Sequence, residues 1–171
     1  GVEQAAEEFG VEVSIPFTPG RVDAIEGSVD ATSWSVMEPR HDGFRNYMAD
    51  LGFMSPSQAL IDKADMLNLT VSEMTVLLGG LRAMNANADG SDRGVLTDRP
   101  GVLSNDFFMN LLDMNTAWGP SSEAYVFEGR DRQSGELKWT ATEFDLVFGS
   151  NSELRAVVEF YAFEESRQRF I

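Results

Sequence analysis

Cysteine is absent from this chain of 171 residues, histidine occurs once, at His41, and lysine twice, at Lys63 and Lys138. Without cysteine there are no disulfides, no thiolate nucleophile and no cysteine-bound zinc, a composition that suits a reducing compartment. No apolar run approaches the ~20 residues that span a bilayer. No basic start leads into a short apolar segment of the kind that marks a secretory signal. Together these absences describe a soluble, cytoplasmic chain that has no membrane as a partner. Basic residues are scarce as well: 13 Lys and Arg stand against 28 Asp and Glu, for a formal net charge of -15. A phosphate backbone needs a cationic footprint that this balance does not supply, which argues against nucleic acid as a partner. So acidic a surface suits a salt-rich cytosol, where hydration keeps protein soluble and salt screens the self-repulsion; ordinary acidic solubility is the alternative.

What is present is enough apolar material, 43% of residues, for one domain over 1–171 with its own core. The stretch EQAAEEF reads as the end of a helix closed by Gly10, so the chain begins inside an element. Val11, Val13, Ile15 and Phe17 alternate, which predicts a short extended segment ending in the turn TPGR. Between Val22 and Asp42 no period is sustained. Ile25, Val29, Trp34, Val36 and Met37 are single anchors on a loop long enough to suggest packing over something larger than this chain.

Four helices are better marked. The first has Ser55 as N-cap, Pro56 at the first helical position and Gln58 three residues beyond the cap. The second repeats the device with Thr70 and Glu73, and spaces Met74, Leu77, Leu78, Leu81 and Met84 as a core-facing stripe. The third opens at Ser104 or Asn105 and buries Phe107, Phe108, Leu111 and Leu112. The fourth has Ser150 and Glu153 as a third capping box before Leu154, Val157, Val158 and Tyr161. Between these last two, Tyr125 to Glu128 and Leu137 to Thr140 flank a polar turn and predict a β-hairpin over about Tyr125–Thr140. Glu164 to Ile171 reads as one more helix, inside which the chain stops. The fold class expected is therefore mainly α with one small β-hairpin.

Few residues suggest chemistry. Asn85, Asn87, Asp89 and Gly90 occupy the first, third, fifth and sixth positions of a calcium loop, but the twelfth, which should carry a bidentate acid, is Leu96. Asn, Asp and Gly are equally what a helix end and turn require, because they tolerate left-handed backbone. His41, in EPRHDGFR, leaves a Ser–His–Asp triad possible in principle, yet no nucleophile-elbow context marks one, and a solvent-facing or capped histidine fits it as well. Asp62 and Asp65 share a helix, but with 28 acids a pair carries little weight. Gly79 and Gly80 precede neither Lys-Ser nor Lys-Thr and follow no strand, so they form no phosphate loop. A glycine pair inside a helix is instead expected to have something large packed against it. Phe107, Phe108 and Trp139 read as core or interface. Asn68-Leu69-Thr70 matches a glycosylation sequon by accident, given its place between two helices.

The runs LTVSEMTVLLGGLRAMNAN, GVLTDRPGVLSNDFFMNLLDMNTAW and EGRDRQSGELKWTATEFDLVFGSNSELRAVVEFYA closely resemble the C-terminal domain of bacterial and archaeal catalase-peroxidases. IPFTPGRVDA and MEPRHDGFRNYM fit the same family, so the resemblance covers nearly the whole chain. It implies a haem-peroxidase-like, mainly helical fold, in a protein of two related domains of which only the N-terminal one carries haem b. In haem-bearing members of the superfamily, the helix corresponding to Met74–Met84 has a small dipeptide followed by the proximal histidine that ligates iron. Here Gly79 and Gly80 are followed by Leu81 and Arg82. Leucine has no lone pair for iron and arginine is permanently protonated, so neither replaces an imidazole.

Asp145 aligns with the aspartate that hydrogen-bonds the second nitrogen of that histidine. The expectation is that Asp145 is kept for structure and pairs with an arginine such as Arg82. The resemblance implies that this domain has no catalytic, cofactor-binding or metal-binding residue of its own. It implies a scaffold that packs on the N-terminal haem domain, within a homodimeric protein that decomposes hydrogen peroxide and oxidises donors. The chain is then the later, proximal-side part of a domain cut at both ends. The alternative, from another class, is an independent module that binds calcium through Asn85–Leu96 or a protein through its acidic face. A carboxylate-based hydrolase has only acid abundance behind it.

Overall fold

A computed structural model describes residues 1–20, 32, 44, 54–87 and 89–166. In chain order the elements are α1 (Val2–Glu8), α2 (Pro56–Met66), α3 (Val71–Ala83), α4 (Asp106–Leu111), β1 (Thr116–Pro120), β2 (Val126–Asp131), β3 (Leu137–Thr142), α5 (Glu143–Ser150) and α6 (Ser152–Ala162), followed by a 3-10 turn at Glu164–Ser166. No helix among the described residues is long and apolar enough to cross a membrane. His41 and the anchors Ile25, Val29, Trp34, Val36 and Met37 lie outside the described residues, as does the part of the last expected helix beyond Ser166.

The helix starts marked in the sequence form as their chemistry dictates. Ser55 accepts from the Gln58 N–H while the Gln58 side chain accepts from the Ser55 N–H at 2.9 Å, and Thr70 and Glu73 exchange the same pair of bonds. Each box satisfies two of the N–H groups that a helix start leaves without partners. Near the start of the chain, Gly10 takes φ +85 and closes α1, its N–H bonded to the Glu7 carbonyl at 2.8 Å.

Four expectations about where elements form need correction. The alternating segment 11–17 forms no strand: Ile15 and Phe17 are exposed, and the Ile15 N–H donates to the Glu3 carboxylate at 2.8 Å. Alternation becomes a strand only where an edge is available to pair with it. The hairpin is the larger part of a three-stranded antiparallel sheet in the order β1-β2-β3. Strand β1, Thr-Ala-Trp-Gly-Pro, ends in two residues that depress strand propensity, but Pro120 sits at the end of an edge strand, where a missing N–H costs nothing. The Trp118 ring packs over Gly129, where a Cβ would come within 2.9 Å of it.

Third, EFDLVFGS forms a helix, α5, that was not expected. It is opened by Thr142 and Asp145 in a capping box that follows directly on β3. Fourth, the Ser150–Glu153 box does not exist: Ser150 is the last residue of α5, and Asn151 caps α6 by accepting from the Glu153 and Leu154 N–H groups, both at 3.1 Å.

The core joins α2 through α6. Leu60, Met74, Leu78, Leu96, Phe107, Phe108, Phe144, Phe148, Leu154 and Val158 are buried together, with Phe107 edge-on to Phe108 and Phe148 at centroid distances of 5.4 and 6.5 Å. The buried face of α3 is turned from the expected stripe. Met74 and Leu78 are inside, but Leu77 is exposed and Leu81 and Met84 are half-buried, while Thr75, Gly79, Arg82 and Ala83 are enclosed. Leu112, Tyr161 and Trp139 are half-buried edges of the core rather than its centre, and Val157 is half-buried.

Candidate functional site

The turning of α3 follows from its two glycines. A Cβ at Gly79 would lie no farther than 3.0 Å from three atoms of the Phe108 ring, so this position must be bare for α4 to approach α3; at Gly80 the Leu103 side chain would stand at 3.2 Å. Close approach here carries the next residues of α3 inward. Arg82, the next-to-last residue of α3, is the largest fully buried side chain among the described residues, at 1% exposure.

Arg82 is buried against a carboxylate 63 residues further along the chain. Its Nε donates to Asp145 Oδ1 at 2.9 Å, and Asp145 is itself fully enclosed. The other carboxylate oxygen, Oδ2, accepts from the Thr142 N–H at 2.8 Å and from the Thr142 hydroxyl at 2.9 Å. That places Asp145 at the third position of α5, where the amino end of a helix favours negative charge. Arg82 Nη1 donates to Asn87 Oδ1 at 2.9 Å, and the Asn87 amide donates onward to the carbonyls of Ser91 and Arg93. Gly94, at φ +77, closes the top of the pair. Its N–H bonds to the Thr140 carbonyl at 2.8 Å, and a Cβ there would come within 2.8 Å of the Asp145 carboxyl group.

The arrangement ties together α3, the loop 87–94, the end of β3 and the start of α5. Isolating two charges from water is costly, and such a pair holds only with good geometry and with its remaining donors and acceptors engaged. It is built to hold position. A haem iron at this helix end would need a side-chain lone pair. Leu81 has none, the Arg82 guanidinium is committed to Asp145 and Asn87, and both Asp145 oxygens already accept hydrogen bonds. The residues present do not fit an iron-ligating role.

The sequence pointed to Arg82 and Asp145, and the structure brings them together. Asn87, Thr142 and Gly94 were missed as members of the same network. Thr142-x-x-Asp145 is a capping pattern that could have been read, whereas Asn87 was read only as a calcium-loop residue. In that loop Asn87 is turned inward to Arg82, Leu96 is fully buried in the core, Asp89 Oδ1 accepts from the Ser91 N–H and hydroxyl, and the Asn85 amide reaches Asp92 at 3.4 Å. Ala88 is outside the described residues. Among the described residues, no group of three or more His, Asp or Glu is placed to share a metal ion. Asp62 and Asp65 are both exposed on α2, and Asn68, at φ 56, is the left-handed residue that ends that helix.

Comparison with known proteins agrees with the residue pattern. The family model described as Peroxidase matches residues 1–164. The protein named catalase-peroxidase 2 of Shewanella sp. (strain ANA-3) is 58% identical over 171 residues, 99% of this chain and 23% of its own length. The catalase-peroxidase of Maridesulfovibrio salexigens is 55% identical over 99% of this chain and 24% of its own length, and that of Bradyrhizobium sp. (strain ORS 278) is 55% identical over 100% and 24%. The chain thus spans about a quarter of the length of the curated relatives it matches. With a helical core, a bare Gly79 under Phe108, a buried carboxylate at the start of α5 and a family match along nearly its whole length, this chain belongs to the peroxidase family.

Proposed function

We propose that the chain is the haem-free, peroxidase-like part of a catalase-peroxidase, and that it acts as a scaffold for the haem-bearing N-terminal domain rather than as a second catalytic centre. In this reading the whole protein is a cytoplasmic homodimer that decomposes hydrogen peroxide and oxidises one-electron donors, in defence against oxidative stress. The names and identities of its relatives support the peroxide chemistry of the whole. The observation that carries the scaffold reading is the buried Arg82–Asp145 pair. Where the resemblance places an iron ligand and the carboxylate that tunes it, this chain has Leu81 and a carboxylate already held by Arg82 and Thr142. Such a pair fixes four segments in one arrangement. Geometry, not chemistry, is what this unit offers a neighbouring domain.

The test is complementation. The chain is mixed with separately produced haem domain and peroxide consumption is followed as the ratio rises. The expected result is activity that climbs and saturates; no gain at any ratio, with both pieces folded by circular dichroism, sinks the scaffold reading. Titrating haem into the chain alone should give no Soret band of ligated iron, and such a band would overturn the haem-free reading.

A further inference from the structure

Away from the Arg82–Asp145 network, a cleft of about 310 Å³ opens between the end of α4, the start of β1 and the junction of α5 with α6. Leu111, Leu112, Trp118 and Leu146 give it apolar walls, and the guanidinium groups of Arg132 and Arg155 stand beside them. Its size is at the lower end of small-molecule pockets, roughly 300 to 1,000 Å³, with few polar groups set in an apolar lining.

Charge distinguishes this cleft from an ordinary surface dent. The chain carries a net charge of -15, and the other described arginines, Arg82, Arg93, Arg99, Arg130 and Arg155, each rest on a carboxylate. Arg132, among the described residues, has no carboxylate within ion-pairing distance. It is clamped instead by neutral main chain: its Nε donates to the Met114 carbonyl at 3.1 Å, its Nη2 to the Thr116 carbonyl at 3.4 Å, and its own N–H to the Asn115 carbonyl at 2.8 Å. Arg155 is oriented in the same way, with Nη1 on the Gly149 carbonyl at 3.3 Å and Nε on Glu159. The one acid lining the cleft, Asp113, accepts from the Asn115 N–H, the Thr116 hydroxyl and Lys138. Its charge is already answered by Lys138, and that of Arg155 by Glu159. The uncompensated charge at the cleft is therefore the positive one on Arg132, held in place beside apolar walls.

We propose that this cleft binds a small amphipathic carboxylate, with its apolar body against Trp118 and Leu146 and its carboxylate on Arg132. A planar guanidinium held in a fixed orientation suits a carboxylate, while the apolar walls take the body of the ligand. At about 310 Å³ the cleft suits a small ligand, a short chain or a single ring.

Calorimetry on the whole chain with octanoate and with octanamide tests this, since the two share a body and differ in charge. Octanoate is expected to bind about ten-fold or more tightly than octanamide, with quenching of tryptophan fluorescence from Trp118. Arg132→Met should erase that preference and Arg132→Lys should restore part of it. Leu146→Trp, which fills the cleft and leaves Arg132 and its carbonyl contacts in place, should abolish binding of both. Equal affinity for the two probes, no octanoate binding in the millimolar range, or octanoate binding unchanged in either Arg132→Met or Leu146→Trp would overturn the proposal.

Discussion

Gly79 and Arg82 lie three residues apart on α3 and depend on each other. The absence of a side chain at 79 lets the Phe108 ring settle against the helix, and that closeness encloses Arg82. Gly79→Ala is helix-favourable by about 1 kcal/mol in isolation. Here the added methyl meets a fully buried ring that is itself packed edge-on to Phe107, so net destabilisation of about 1–3 kcal/mol is expected in urea unfolding. Gly80→Ala, with only the Leu103 side chain at 3.2 Å, should be far milder. For the ion pair, Arg82→Met leaves Asp145 buried without its cation, and a loss of about 3–5 kcal/mol is expected. The double variant Arg82→Met/Asp145→Leu should lose much less than the two single changes added together. A double-mutant cycle showing simple additivity would refute the pair as one unit. That Leu81 and Arg82 follow the glycine pair was readable from the sequence, because it is a matter of residue identity. The partner of Arg82 could be guessed only through the family resemblance.

At the scale of elements, caps decide where helices begin. Ser55–Gln58 and Thr70–Glu73 were legible because the pattern occupies four consecutive residues and each box stands alone in its stretch of chain. Ser150-x-x-Glu153 obeys the same pattern and is not a cap, since Ser150 is still helical and its hydroxyl bonds back to the Leu146 carbonyl at 3.2 Å. Two helices meeting without a loop give a local pattern two possible owners, and the packing of Phe148 and Leu154 into one core assigns it. The consequence is measurable. Asn151→Ala should cost about 1 kcal/mol, whereas Ser150→Ala should fall within about 0.5 kcal/mol of the parent. The reverse order in thermal unfolding would show that the capping residue has been misassigned. Strand β1 and helix α5 were missed for a related reason: Gly119-Pro120 looks like a turn, and α5 starts where a strand ends, so each is defined by the neighbour it packs on.

Across the whole molecule, charge governs the response to pH and salt. Several carboxylates are held below their usual range. Burial pushes Asp106 up, but the Thr97 and Ser104 hydroxyls and Arg99 together outweigh it; the Asn115 N–H and Lys138 lower Asp113; the Ser134 and Gln133 N–H groups lower Asp131. A carboxylate whose folded pKa is depressed stabilises the fold above its unfolded value and loses that contribution as pH falls through the folded one. Stability should therefore hold from neutral pH downward and drop below about pH 4, where unfolded aspartates take up protons first. Arg99→Met, which removes one of the partners of Asp106, should make that drop shallower in urea midpoints measured across pH. Near neutral pH, added salt should raise the midpoint, because 28 acids against 13 bases repel one another and salt screens them. By itself the sequence determined the helices that carry their own caps, the acidic character and the family. Those features reside in residue identity or within a few positions along the chain. Only the tertiary structure decided that Arg82 meets Asp145 across 63 residues, that Asn87 faces inward instead of toward a cation, and that Arg132 stands charged beside an apolar cleft. Each of these depends on which surfaces the core brings together, and no local pattern encodes that.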